Sequence, residues 1–467
     1  MDSSARSTMQ AGLIAFILSL LVACVPVVIP EERGLEHCPD PDAAVAFRDP
    51  QLAAAVQDAL GLESPSISCR ALARLRRLNA NSSSIADLGG IEYAAYLTRI
   101  DLRNNDITDL APLSALPRLA QVDLLNNAVS DLSTLQGSPV LSRLVVRRND
   151  LVDLMGIESL TTLRYLDLRD NEIRDTTPLG SLAALEQLLL QGNRIESVGP
   201  LAELTNLELL ALDNNPLQGT DALSPLVNLR SLSLVNSRLD DITFAFMLTS
   251  LESLDLRRNA ISDVSALVAH ESLTTLLLGR NEIEDITALA GLTGLQQLEL
   301  DRNAITSIDA LADLDRLVRL DLSRNQIEDA TPLRNATSLE LLNLNSNTIT
   351  DTTPLGNLTT LTNLDLGSNT ITDTTPLARL TNLTQLNLSR NQIREITPLA
   401  SLSQLTALSL ARNRLEDIAP LLALEHLSVL DLERNCLDLL EGASSRHIAR
   451  LEATGTTVDS ERQDTCE

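Results

Sequence analysis

Aromatic side chains are almost missing from this chain, whose 467 residues include no Trp, three Tyr and four Phe. Large enzymes usually build core and pocket around rings, so the scarcity points to a core filled by one aliphatic type. It also removes the platforms on which nucleic-acid bases stack. Positive charge is short as well. Thirty-six cationic side chains stand against 63 carboxylates, a formal charge of −27, which repels phosphate backbones and anionic lipid surfaces. The four histidines, His37, His270, His426 and His447, share metal-ligand spacing with no other His or Cys. No phosphate loop, nucleophile elbow or acid–base pair occurs. The expectation is therefore a chain without enzymatic activity, cofactor, metal or nucleic-acid partner.

What is present is a repeat. Stepping by 22 from Asn105 meets Asn127, Asn149, Asn171, Asn193 and Asn215, then Ser237, then Asn at every step from Asn259 to Asn435. Eight residues before each of these positions is a Leu; three before is Leu, except Val146; two after is Ile, Leu or Val. The two closest Leu alternate, as buried positions on a strand must. Each unit offers more apolar groups than it can bury alone, so neighbours must stack. The Asn is expected to turn the chain and to bond the backbone of adjacent coils, most weakly at Ser237. Twelve units carry an acid four residues after this position, from Asp109 to Asp417. These read as N-caps of short helical turns. One carboxylate per coil is too few to hold Ca²⁺. In the irregular coil Phe244-Ala245-Phe246-Met247, local repacking is expected, with an exposed apolar patch as the alternative. His270 falls on a core Leu position and reads as a tolerated substitution.

The LxxLxLxxN wording over about residues 70 to 440 resembles the leucine-rich-repeat family, in the 22-residue form of bacterial internalins. The resemblance implies an α/β solenoid, a horseshoe with a parallel β concave face, short 3-10 or α convex segments and small disulfide-stapled caps. Asp49-Pro50 and Gly61 bracket a first helix with the stripe Leu52, Val56, Leu60; residues 445–451 read as a last one, with Ile448 and Leu451 inward. The first helix with Cys38 and Cys69 resembles an internalin-like cap. Cys436-Leu437-Asp438 matches a pattern of bacterial leucine-rich-repeat ubiquitin ligases but lacks their large helical domain.

Residues 11–23 (AGLIAFILSLLVA) have the length of a signal-peptide core. Leu21-Val22-Ala23-Cys24 resembles the lipobox of bacterial lipoproteins, which implies cleavage before Cys24 and lipid on its thiol. Val25 in the next position favours outer-membrane sorting by the same resemblance. An uncharged run as far as Pro30 keeps an uncleaved anchor as the alternative. Four cysteines then remain and allow three connectivities; the pairs Cys38–Cys69 and Cys436–Cys466 flank the repeats and are the expected bridges, in an oxidising compartment. The resulting division is 1–23 signal, 24–37 lipid anchor and tether, 38–70 N-terminal cap, 71–440 repeats and 441–467 C-terminal cap.

On the concave face, acids dominate four residues before the Asn, with arginines beside them. Mutual neutralisation is the plain reading. The sharper one is a recognition surface centred on Tyr165, the one aromatic at a concave strand position of the regular coils. Arg143 and Gln187 flank it in its column, and Asp167, Arg169, Arg147 and Arg148 lie alongside. Arg147, Arg148 and Arg280 have no acid at the matching spot of their own coil, which suggests an anionic partner. The function expected is non-enzymatic protein binding outside the bacterial cytoplasm, at the outer membrane or cell surface, with membrane contact through the lipid. The alternatives are a structural or adhesion component without a dedicated ligand, or the regulatory subunit of an enzyme.

Overall fold

A computed structural model describes residues 38, 40–136, 138–440 and 442–463. The signal segment, Cys24, the tether to residue 37 and Cys466 lie outside the described residues. Eighteen three-residue strands, from β1 (Arg77–Asn79) to β18 (Thr457–Asp459), form one parallel sheet in which each strand pairs with the next in the chain. From β1 to β17 (Val429–Asp431) the register is an offset of 22, as in Arg77↔Arg99. From β1 to β17 the middle residue of each strand is buried, and short helical turns, mostly 3-10, return the chain on the convex side. One continuous aliphatic core runs from Leu52 to Leu451.

The Asn column is the polar spine of this core. Asn325 is typical: Nδ2 donates to Leu300 O and Leu322 O, both at 2.9 Å, and Oδ1 accepts from Ile305 N at 3.1 Å. One buried carboxamide thus ties two coils together where backbone groups leave the strand without ladder partners. Ser237 manages only long bonds from Oγ, 3.4 Å to Leu212 O and 3.2 Å to Val235 O. Leu217 N, which an Asn there would satisfy, turns to Asn215 O instead.

The acids four residues after the Asn are displaced by one position from the expected cap. In Asp109 the carboxylate accepts from Ala111 N at 2.8 Å, while the residue at the N-cap itself, Leu110, makes no side-chain bond. The same i to i+2 turn recurs at Asp175, Asp285 and Asp373. At Asp175 the Thr177 hydroxyl, then its N–H, holds the carboxyl below its usual range. These acids are committed to local turns.

The caps combine expected and unexpected parts. Helix α1 (Pro50–Leu60) starts at N-cap Asp49 and ends at Gly61 with φ 63°. Asp49 does more than cap. Oδ1 accepts from Gln51 N and Leu52 N, and Oδ2 from Ala86 N at 2.8 Å and Asp87 N at 3.3 Å, which docks the helix on the first coil. Burial works against its charge, yet the four N–H donors outweigh it and hold the carboxyl below its ordinary value. Cys38 and Cys69 form a disulfide. At the far end, the helix Ala443–Ala453 is longer than expected and buries Ile448 and Leu451. The chain then adds β18 and sets Gln463 where the next Asn of the column would stand. Its Oε1 accepts from Asn435 N and Leu437 N and its Nε2 donates to Leu432 O.

His270 is fully buried, with Nε2 3.0 Å from Ala245 O. Its other ring nitrogen, Nδ1, has no partner among the described residues. The position is Leu in the coils on either side, Leu248 and Leu292. Burial lowers the imidazole pKa from 6.5, against the opposing pull of the Ala245 and Leu267 backbone. The folded chain therefore holds His270 neutral while the unfolded chain takes up a proton. The stability it contributes is complete above about pH 6.5 and is lost as pH falls towards the folded value, at ~1.4 kcal/mol per pH unit. Melting of wild type and His270→Leu should diverge as pH is taken from 7.5 to 5, with wild type falling more steeply. Parallel curves would show that His270 does not titrate in that window.

Candidate functional site

Strand alternation fixes what a partner can touch. With the middle residue inward, the first and third residues of each strand face the concave side and stack into columns about 4.8 Å apart. In β5 (Tyr165–Asp167), Tyr165 registers with Arg143 on one side and Gln187 on the other. The Arg143 guanidinium lies 3.5 Å from the Tyr165 ring centroid, a cation–π stack. Asp167 is only 2% exposed and is clamped by Arg169 through Nη2 at 2.6 Å and Nε at 2.9 Å. Hydrogen bonding to Asp167 raises the Arg169 pKa further above its ordinary value.

Two arginines read as available are not. Arg147 Nε lies 2.9 Å from Asp170 Oδ2 and Arg148 Nε 3.6 Å from the same oxygen. The acid missing from their own coil is supplied by the next one. The fork of Arg169 on Asp167 recurs at Asp101–Arg103 and Asp255–Arg257, each with a closest distance of 2.6 Å. Three coils thus neutralise themselves through the same Asp-Leu-Arg wording.

Further along, a concave hollow of about 410 Å³ lies over β11 (Gln297–Glu299) to β15 (Gln385–Asn387). From Asp321 onward its floor alternates carboxylates and carboxamides, after the adjacent acids Glu299 and Asp321. Asn343 donates to Asp321 at 3.1 Å, and Asn345 and Asn387 both donate to Asp365 Oδ1, at 3.1 and 2.9 Å. Sequence reading caught the acids of this floor but missed Asn343 and Asn387; their signal was that they continue the acid column in polar, uncharged form. On the convex side, Phe244 turns inward at 3% exposure, as repacking requires. Phe246 and Met247 stay more than half exposed beside Val268, so an apolar patch exists as well. Among the described residues no group of three His, Cys, Asp or Glu side chains could hold a metal ion. None of their helices is long and apolar enough to cross a membrane.

Comparison with known proteins bears on this geometry. Family models for leucine-rich repeats match residues 271–327, and, as two-copy units, residues 97–137 and 359–401. Shorter matches fall at 159–176 and 248–267. The crystal structure of an internalin, InlF of Listeria monocytogenes, is 31% identical over 78% of this chain and 95% of that one, with a TM-score of 0.56. This chain belongs to the internalin-like leucine-rich-repeat proteins. The internalin-like chain also shares its fold with a leucine-rich-repeat protein of Leptospira interrogans, at 24% identity over 84% of this chain and 97% of that one and a TM-score of 0.71. The functional domain of InlJ from Listeria monocytogenes follows at 22%, 85%, 83% and 0.65. The curated proteins contain no match. Repeats of this kind commonly mediate protein–protein binding.

Proposed function

We propose that this chain is a non-enzymatic module that binds a protein partner on its concave sheet and is held at a bacterial envelope by lipid on Cys24. The observation that carries the binding reading is the Tyr165–Arg143 stack in the column completed by Gln187. Tyr and Arg are the residue types that most often anchor interfaces. Asp167 and Arg169 beside the stack, and Arg147 and Arg148 on Asp170, form a rigid charged surround. Arg169 is a poor residue to truncate, because the nearly buried Asp167 would lose its counter-ion. A photo-crosslinking residue at exposed position 187 should capture one partner. Tyr165→Ala and Arg143→Ala should then each weaken its binding at least tenfold with little change in melting. Unchanged affinity in both variants would remove the site from β5. Lipid labelling that survives Cys24→Ala would defeat the anchor.

The second reading, a structural or adhesion component without a dedicated ligand, has its own support. The self-paired forks at Asp101, Asp167 and Asp255 are what a merely solubilising surface needs. Failure of position 187 to capture any single species would favour it.

A further inference from the structure

The residue just before each position of the Asn column sits in the left-handed region in every coil. In the first half of the array this seat holds Asn104, Asn126, Asp170, Gly192, Asn214 and Asn236, with Arg148 as the exception. In the second half it is filled by Arg258, Arg280, Arg302 and Arg324 in four consecutive coils, with φ between 54° and 62°, and near the far end Arg390, Arg412 and Arg434 take it again. A side chain of this kind gains nothing from that backbone conformation, which Gly and Asn adopt more readily. Local folding therefore gives no reason for arginine here.

The charge balance gives one. The chain contains no Lys; all 36 of its cations are Arg, the residue that grips carboxylates with two parallel N–H bonds. The molecule is strongly acidic overall. Yet over β9 (Ser253–Asp255) to β12 (Arg319–Asp321), six concave arginines, Arg257 and Arg319 with the four of the rim, face only four acids: Asp255, Glu299, Asp301 and Asp321. The four rim arginines are exposed. Arg258, Arg280 and Arg324 make no ion pair within 4.0 Å among the described residues, and Arg302 only touches Asp301 at 4.0 Å. This is unlike β5, where every arginine is already engaged.

The surface beneath is shaped as well. A hollow of about 450 Å³ opens beside Arg257, Arg258 and Arg280, over Gly279. A Cβ on Gly279 would stand 2.0 Å from Asp301 Oδ1, so the missing side chain is what lets this carboxylate lie across the preceding coil. The same gap lets Arg257 reach Glu299 at 3.2 Å across the intervening coil. The result is a cationic rim above a floor that carries acids.

We infer that the rim Arg258–Arg280–Arg302–Arg324 is a docking track for an extended acidic polypeptide segment lying along the array. Four coils at about 4.8 Å span roughly 14 Å, the length of four or five extended residues. Alternate side chains of such a segment point the same way, so two or three carboxylates meet the rim. The residues between them turn to the floor, where Glu299 and Asp321 can accept backbone N–H groups. A nucleic acid fits poorly, because the stretch has no ring to stack on and the floor acids would oppose a continuous phosphate chain. The inference takes from the proposed function only that the concave sheet binds partners; it does not depend on Tyr165.

The test uses the full chain and a fluorescein-labelled peptide of alternating Ser and Glu, read by fluorescence anisotropy at about 50 and 200 mM salt. The Glu peptide should bind at least tenfold more tightly than its Gln counterpart, with affinity falling as salt rises. Combined Arg258→Asn, Arg280→Asn, Arg302→Asn and Arg324→Asn should abolish that preference. The melting temperature of this variant should stay level or rise, because Asn suits the left-handed seat. Tyr165→Ala should leave peptide binding unchanged, so failure at β5 and failure at the rim are separable. Equal affinity for the Glu and Gln peptides would overturn the proposal, as would full binding by the four-Asn variant. Tighter binding of a thymidine oligonucleotide than of the Glu peptide would overturn the polypeptide class.

Discussion

Asn325→Ala is expected to cost about 3 to 5 kcal/mol of unfolding free energy, a large fraction of the usual margin. The amide of Asn325 is the sole partner of Ile305 N and one of two donors at each of Leu300 O and Leu322 O; the others come from Asn303 and Asn347. Alanine leaves one buried N–H without an acceptor and weakens two shared carbonyls at once. Urea unfolding followed by far-ultraviolet circular dichroism measures the loss as a lower midpoint. Ser237→Asn, at the one gap in the column, should shift the midpoint the other way by a smaller amount, about 0.5 to 1 kcal/mol. If Asn325→Ala unfolds within about 1 kcal/mol of wild type, the column is ornamental and the core carries the array alone.

Loss of the N-terminal bridge should cost nearly as much. Cys38 and Cys69 are separated by 31 residues in sequence, and closing such a loop removes chain entropy from the unfolded state worth roughly 3 to 4 kcal/mol. Paired substitution by Ser should lower the melting temperature and expose the first coils to hydrogen exchange before the middle of the array. That order is expected because stability in a stacked array passes between neighbours, and the cap shields the first apolar face. Asp49 limits the damage, since its four backbone bonds hold helix α1 on residues 86 and 87 without the disulfide. Uniform exchange along the whole array would instead mean that it unfolds as a single unit. The matching bridge at the other end, Cys436–Cys466, is an expectation for peptide mapping under non-reducing conditions.

Much of this molecule was legible because one spacing governs it. A fixed period of 22 sets each position beside its own copy, so the strand register, the buried Leu columns and the Asn column follow from counting. Helix α1 was equally plain, because Asp49, Pro50 and Gly61 mark its ends by chemistry that acts within a few residues. The acids after the Asn column were found but placed one step wrong. Their carboxylates are short enough to bond two residues ahead, so from outside the N-cap they close the turn on the N–H of the first helical residue. Reading Arg147 and Arg148 as available failed for a different reason. A guanidinium on a long stem reaches the next coil as easily as its own, and Asp170 lies 23 residues beyond Arg147.

By itself, then, the sequence determined the solenoid, its period, its aliphatic core and the polar column that closes each turn, since all of these depend on what recurs at one interval. Tertiary structure alone decided what departs from that interval. Gln463 takes the seat after Asn435 from a distance of 28 residues, and His270 finds the Ala245 carbonyl at 25. Glu299 meets Arg257 at 42, across a coil that Gly279 leaves bare. Such contacts depend on side-chain reach and on the space a neighbour vacates, and both exist only once the coils are stacked.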